Sequence, residues 1–418
     1  MAVVEKFRSA VGLTGRRVLL WSLLGRLPNA MCPIGTLLLV TGNTGSVWRG
    51  SAATGALAIG QGVGGPLVGR LADRRGQRPV GLTAAVVNTV AILALVLASE
   101  RDAPLGWQIA PAALVGLSMP LVGPLSRSRW VRLAGGKQDL TSSMMSLDGI
   151  VDEVSFTTGP ALVGLLATLA DPAAGLLLAA ALVGVCGTLF ALHPSASPGE
   201  DVRRVRSAER LLTTPYVLLL AGTALLGACF GSLQVGVTAS TEALGRPGAA
   251  GLLYAFLGFT SAFSGVATAA LPSRLGLPLR LRAGTALLFA GSLLLLVAGG
   301  TTAALTAAIG CVGVAVAPQM ITMFGLVERT VPADRLGEAM AALVSSITLA
   351  QSAGTLAGGW AAERYGPGAP FRVTVLAAGA ALLLAGLTAT EGRYRRRPGP
   401  VAPAGPAGPA VEREPATA

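Results

Sequence analysis

The chain holds a single histidine, His193, and only two of its 32 basic residues are lysine. One histidine at the edge of an apolar run excludes a buried histidine relay and a multi-histidine metal site. The four cysteines, Cys32, Cys186, Cys229 and Cys311, all fall inside apolar runs, and no pair has metal or redox spacing. With neither clustered cysteines nor a second histidine, the usual ingredients of a membrane-embedded enzyme are missing, and the chain is expected to be no enzyme and to carry no cofactor. Charge is scarce as well: 12% of residues are charged, whereas a soluble domain usually carries about 25%. A soluble globular fold is thereby excluded.

What the chain has instead is apolar length. Of 418 residues, 52% are hydrophobic, and the mean hydropathy is +0.65. Apolar runs recur from end to end, each of about 20 residues and so long enough to cross a bilayer core as a helix. The runs are rich in Leu, Ala and Gly and do not alternate, unlike the strands of a membrane barrel, which are segments of about 10 residues with period 2. The first 17 residues are basic, but no small-residue cleavage site follows the first run. That run reads as a retained helix and not as a cleaved signal.

The expected spans are 18–41, 50–71, 79–98, 107–126, 143–167, 172–192, 215–237, 250–271, 283–299, 302–325, 337–361 and 372–390. Charge tests the scheme. With the N-terminus inside, the inside segments hold 26 basic residues and the outside loops five: Arg49, Arg101, Arg246, Arg364 and Arg372. This positive-inside bias predicts two cytoplasmic termini and an even number of spans. It also accounts for the net charge of +12 without nucleic acid, because the basic residues sit in short loops. The preference for Arg over Lys points to a GC-rich bacterial genome, and hence to a bacterial cell membrane. The fold class expected is all-α, with twelve transmembrane helices in two six-helix bundles.

The longest polar interruption, 193–213, separates six spans from six. The expected parts are a cytoplasmic N-tail (1–17), a first bundle (18–192), a cytoplasmic linker (193–213), a second bundle (214–391) and a Pro/Gly/Ala-rich tail (392–418) expected to be disordered. A faint repeat relates the halves: Gly159-Pro-Ala-Leu-Val-Gly164 is echoed by Gly354-Thr-Leu-Ala-Gly-Gly359, and Pro120 by Pro318.

After the second span the sequence reads Gly69-Arg-Leu-Ala-Asp73-Arg74-Arg75-Gly76-Gln77-Arg78. This resembles the signature G-x-L-x-D-r-x-G-r-r of the major facilitator superfamily, placed as usual in the loop between helices two and three. The resemblance covers about 18–391 and implies a secondary transporter that works by alternating access. Gln77 departs from the residue commonly basic there. Gly69 and Gly76 allow close approach and a tight turn. Asp73 can accept from free N–H groups at a helix N-terminus, which the resemblance places at the eleventh helix, near Leu336. Arg74 and Arg78 can pair with acids across the seam.

Four charges lie within spans, where charge is costly and usually functional: Arg26, Asp148, Asp152 and Glu153. At a rise of 1.5 Å per residue, Arg26 is ~12 Å along its helix, Asp152 and Glu153 ~14–15 Å, and Asp148 ~8 Å. The resemblance makes these two helices neighbours. Arg26 is therefore expected to pair with Asp152 or Glu153, while Asp148 turns to Arg127 or Arg129. The acid left over is free to carry a proton, a static ion-pair cluster and direct substrate binding being the other readings.

Gly159, Pro160 and Gly164 partly match the antiporter motif of drug-efflux members, G-x-x-x-G-P-x-x-G-G, with Ser155 and Val163 in place of two glycines. Polar or aromatic candidates for a central cavity are Asn29, Gln61, Gln234, Tyr254, Gln319 and Gln351. The function expected is proton-coupled efflux of a small organic solute by a monomer in the lipid bilayer, with the proton as coupling ion. Nutrient symport and a non-transporting membrane sensor are the alternatives.

Overall fold

The computed structural model describes residues 16–133, 138–196, 211–269, 275–298, 300–332 and 335–388. The N-tail to 15, most of the linker (197–210) and the C-terminal tail from 389 lie outside the described residues.

Twelve helical rods account for nearly all of the described chain: α1 (Arg16–Thr44), α2 (Val47–Arg75), α3 (Gln77–Glu100), α4 in two pieces (Leu105–Leu117 and Val122–Leu133) and α5 (Gln138–Leu169). They continue with α6 (Pro172–Leu192), α7 (Thr214–Ala243), α8 (Ala249–Ala269), α9 (Leu277–Ala298), α10 (Thr302–Thr330), α11 (Leu336–Tyr365) and α12 (Pro370–Thr388). Eleven are long and apolar enough to span a bilayer. The exception, α2, is rich in Gly and Ala, and it is the rod wedged between α4 on one side and α11 on the other.

Two expectations change. The fourth span is not one helix: it stops at Leu117 and restarts at Val122. Pro120 has no N–H to give and clashes with the preceding turn. The break is stabilised from α3, where Asn88 Nδ2 donates to the Val115 carbonyl at 2.6 Å and to Ser118 Oγ at 3.2 Å. Its supposed echo, Pro318, lies inside an unbroken α10. Second, the signature is not a loop. α2 runs through Arg75, and the chain turns at Gly76, whose φ of 92° suits glycine and few other residues.

An even number of rods puts the start of α1 and the end of α12 at the same end of the molecule, the near end. Close approaches between α1–α6 and α7–α12 lie toward the far end. α2 meets α11 at Gly55 against Leu356, Gly62 against Leu349 and Gly359 against Ser51. α5 meets α8 at Thr157 against Gly258 and at Gly164 against Gly248 and Gly251. At the far rim Ser46 Oγ donates to the Glu363 carboxylate at 3.4 Å. Toward the near end the halves stand apart. A Cβ added at Gly65 or Gly149 would find nothing within 4 Å, and one at Gly69 would meet only Leu121 of its own half.

Candidate functional site

The break in α4 turns its second piece so that Ser126, Arg127 and Trp130 reach α5. There they join Arg26 of α1 around two aspartates. Arg26 ion-pairs with Asp148 and, at 2.7 Å, with Asp152. Arg127 Nε lies 2.8 Å from Asp148 Oδ2, and its Nη2 pairs with Asp152. Asp148 Oδ1 also accepts from Ser126 Oγ at 2.6 Å and from Trp130 Nε1 at 2.9 Å. Arg26 is 5% exposed and Asp148 1%. Two cations balance two anions, so the cluster is neutral as a unit, as burial in a low dielectric demands.

Arg26 was expected to take a deeper acid and leave Asp148 to α4. It takes both Asp148 and Asp152. Asp148 and Asp152 stand one turn apart on the same face of α5, so one guanidinium reaches both. Of the two arginines offered to Asp148, Arg127 is the one used. Glu153, rotated by about 100° from Asp152, is left out: it is half-buried and makes no hydrogen bond or ion pair among the described residues. Ser126 and Trp130 escaped sequence reasoning, although their spacing of four puts both on one helix face.

Arg129 has another role. It is fully buried, with its guanidinium 3.7 Å over the Phe190 ring. Its Nε donates to Gln77 Oε1 at 2.7 Å and its Nη1 to the Phe190 carbonyl at 2.8 Å. Gln77 Nε2 in turn donates to Ser128 Oγ at 2.7 Å. This explains the departure from the signature: a cation at position 77 would face a buried cation, whereas an amide accepts from it. Gln77→Leu leaves Arg129 Nε without an acceptor and is expected to cost about 1–3 kcal/mol. Gln77→Glu, which supplies a counter-charge, should lose less. Thermal unfolding of the purified variants in detergent checks the order, and equal stability of Gln77→Leu and wild type would be the contrary result.

The rest of the signature sits on the near-end rim. Gly69 is half-buried, and Asp73, Arg74 and Arg78 are exposed. Asp73 makes no hydrogen bond among the described residues, so its expected contact with the start of α11 is not made in this arrangement, in which the near ends stand apart. His193 caps α6, with its ring edge-on to Trp21 at 5.9 Å. Burial and then the Arg129 charge hold its pKa below the ordinary value, so it is neutral at pH 7.

The cavity candidates divide. Gln61 Nε2 donates to Asn29 Oδ1 at 2.5 Å, tying α2 to α1. Tyr254 Oη donates to the Phe230 carbonyl at 3.2 Å, tying α8 to α7. Gln351 is half-exposed on α11, and Gln234 is buried in α7. Gln319 is fully buried, its Cβ lies against Gly284 of α9, and neither amide atom has a hydrogen-bond partner among the described residues. Gly159 packs on Ala30 and the Leu27 carbonyl of α1, Pro160 lies against Gly251, and Gly164 touches the α8 backbone. The antiporter-like segment thus forms contacts on both sides of α5.

Two helical halves joined at one end, parted at the other and carrying a buried charge cluster define a membrane transporter fold. A family model described as Major Facilitator Superfamily matches residues 29–343, and the chain belongs to that superfamily. It is a secondary transporter and not an enzyme. Among curated proteins none matches the chain. Solved structures similar to it include the nucleoside transporter NupG, at 16% identity and a TM-score of 0.70, covering 89% of this chain and 98% of that one. A bacterial homologue of the iron transporter ferroportin, in an inward-facing state, is similar at 17% identity and a TM-score of 0.68, covering 88% and 98%. The peptide transporter POT in complex with sulfate is similar at 15% identity and a TM-score of 0.68, covering 90% and 93%.

Proposed function

We propose that this transporter exports a small organic solute in exchange for protons, by alternating access between the bundles 18–192 and 214–391. The observation that carries the reading is Glu153, a carboxylate that has no ion pair among the described residues and stands beside a cluster whose charges already cancel. A group that is not needed to neutralise a neighbour is free to gain and lose a proton. The export direction is supported by Gly159, Pro160 and Gly164. The positive-inside bias makes the near end cytoplasmic, with both termini there, in a bacterial inner membrane. Parted near ends are then the arrangement in which solute enters from the cytoplasm. α7, α8 and α9 offer few charges, which suits an amphipathic or apolar solute better than a polyanion. The monomer is the functional unit.

Everted vesicles energised with a proton gradient test the reading. Adding a transported compound should dequench the pH-sensitive dye only when the protein is present; a deeper quench would mean symport. Glu153→Gln should express normally and bind solute but lose proton-driven accumulation. If Glu153→Gln, Asp148→Asn and Asp152→Asn all keep pH-dependent transport, the proton role is wrong.

A further inference from the structure

α2 and α11 run antiparallel and meet along one register, Gly55 against Leu356 and Gly62 against Leu349, the same step apart on each helix. Carried toward the far end, that register sets Glu363 opposite Trp48, in the first turn of α2. Carried toward the near end, it sets Asp73 opposite Glu338, in the first turn of α11. Each helix thus brings an acid of its last turn to the N-terminus of the other. The sequence repeats along with the geometry. Gly69-Arg-Leu-Ala-Asp73-Arg74-Arg75-Gly76 closes α2, and Gly359-Trp-Ala-Ala-Glu363-Arg364-Tyr365-Gly366 closes α11. Both end on a glycine of positive φ, 92° at Gly76 and 94° at Gly366. In both the glycine N–H returns to an alanine carbonyl at 3.0 Å, Ala72 in one and Ala362 in the other.

In this arrangement only the far copy is engaged. Ser46, the N-cap of α2, accepts from the Arg49 N–H at 3.3 Å, and its hydroxyl is shared by the two oxygens of the Glu363 carboxylate at 3.4 Å each. One turn further in, Gly359 lets α11 come against Ser51 and Trp48 of α2. At the near end the matching groups stand apart. Asp73 makes no hydrogen bond among the described residues, and a Cβ at Gly69 would meet Leu121 of α4 and nothing of α11.

We propose that Glu363 is a positioning residue for the far gate: its carboxylate holds the N-terminus of α2 while the far ends are joined and lets go when they part. It is the far-end counterpart of the signature acid on the same pair of helices. The proposal concerns the opening of the far end alone and holds whatever solute or ion is moved. The free N–H groups and the dipole of α2 attract an anion at its start. At 3.4 Å the hydroxyl bond is long, so charge against the helix end supplies most of the hold. An exposed contact of this kind is weak, which suits a gate that must break and remake it in every cycle.

Spin labels at Arg101 of the first half and Arg246 of the second, both on far-end turns, read the gate in lipid nanodiscs, in a chain whose native cysteines are replaced by serine or alanine. Glu363→Gln should raise the ratio of long to short distances about 2–5-fold, the effect of one charge at an exposed helix N-terminus. Ser46→Asp keeps a good N-cap but sets a second carboxylate against the first, and it should open the far end further. Adding Glu363→Gln to Ser46→Asp should then close it again. That reversal of sign is produced by direct contact between positions 46 and 363 and not by a general loss of stability. Asp73→Asn, on the opposite rim, should not raise the long-distance population. The latch is overturned if Glu363→Gln leaves the distances unchanged, if it opens the far end in the Ser46→Asp background as well, or if Asp73→Asn opens the far end equally.

Discussion

Arg26→Ala should cost about 3–5 kcal/mol of stability, the usual result of removing one member of a buried ion pair. It should also lower the yield of folded protein and abolish transport. Arg26 is the only charged side chain of the cluster contributed by α1, and it joins Asp148, Asp152 and Ser126. Without it, Asp148 keeps Arg127, Ser126 and Trp130, but the cluster carries a net negative charge that no further ion pair among the described residues offsets. The loss therefore comes from the stranded carboxylate more than from the missing bond. A double variant, Arg26→Met with Asp148→Asn, restores charge balance and should recover part of the stability without recovering transport. Fluorescence-monitored thermal unfolding in detergent separates the two. A single variant as stable as wild type would show that the cluster is not held by charge balance.

Gly164→Leu should lose transport by about 5–150-fold, which corresponds to the 1–3 kcal/mol that overpacking a close contact typically costs. A Cβ at position 164 would stand 2.5 Å from the Gly248 carbonyl oxygen and 2.9 Å from Gly251 Cα. Both are backbone atoms that no rotamer change can move. The strain exists only while α5 and α8 are joined at the far end, so the variant should shift toward states in which the far end is open. Folding within each half should be spared. Accessibility of a cysteine placed at Thr157 to an impermeant reagent on the far side should rise. Unchanged accessibility together with full transport would mean that the two halves do not separate along this seam. Gly159→Leu is the contrasting case: its contacts are with Ala30 and Leu27 of α1, inside one half, so it should reduce stability in every state.

The spans, their number and the six-plus-six plan were legible because each depends on local chemistry. Twenty apolar residues cross a bilayer whatever their neighbours do, and arginines between them mark the ends. Even α2, too rich in small residues to rank with the other eleven as a span, was visible from its flanking turns and from the signature that closes it. The break in α4 was hidden. Pro120 and Pro318 look alike in sequence, yet one breaks its helix and the other does not. The difference is Asn88 on a neighbouring helix, which satisfies the freed carbonyl.

By itself, then, the sequence determined that this is a twelve-helix membrane protein with a charged cluster in its first half, because hydropathy and charge act residue by residue. Only the tertiary structure decided who partners whom. Arg26 meets Asp148 as well as Asp152 because the two acids stand one turn apart on one face of α5, and Arg127 reaches the same aspartates because α4 is redirected at its break. Gln77 stands where the signature is commonly basic because it faces the buried cation Arg129. Glu153 was one of three acids within two turns of one another. It is the one without an ion pair among the described residues because it is rotated by about 100° from Asp152, away from Arg26 and Arg127, and which face of α5 those arginines meet is a relation between helices that no sequence segment contains alone.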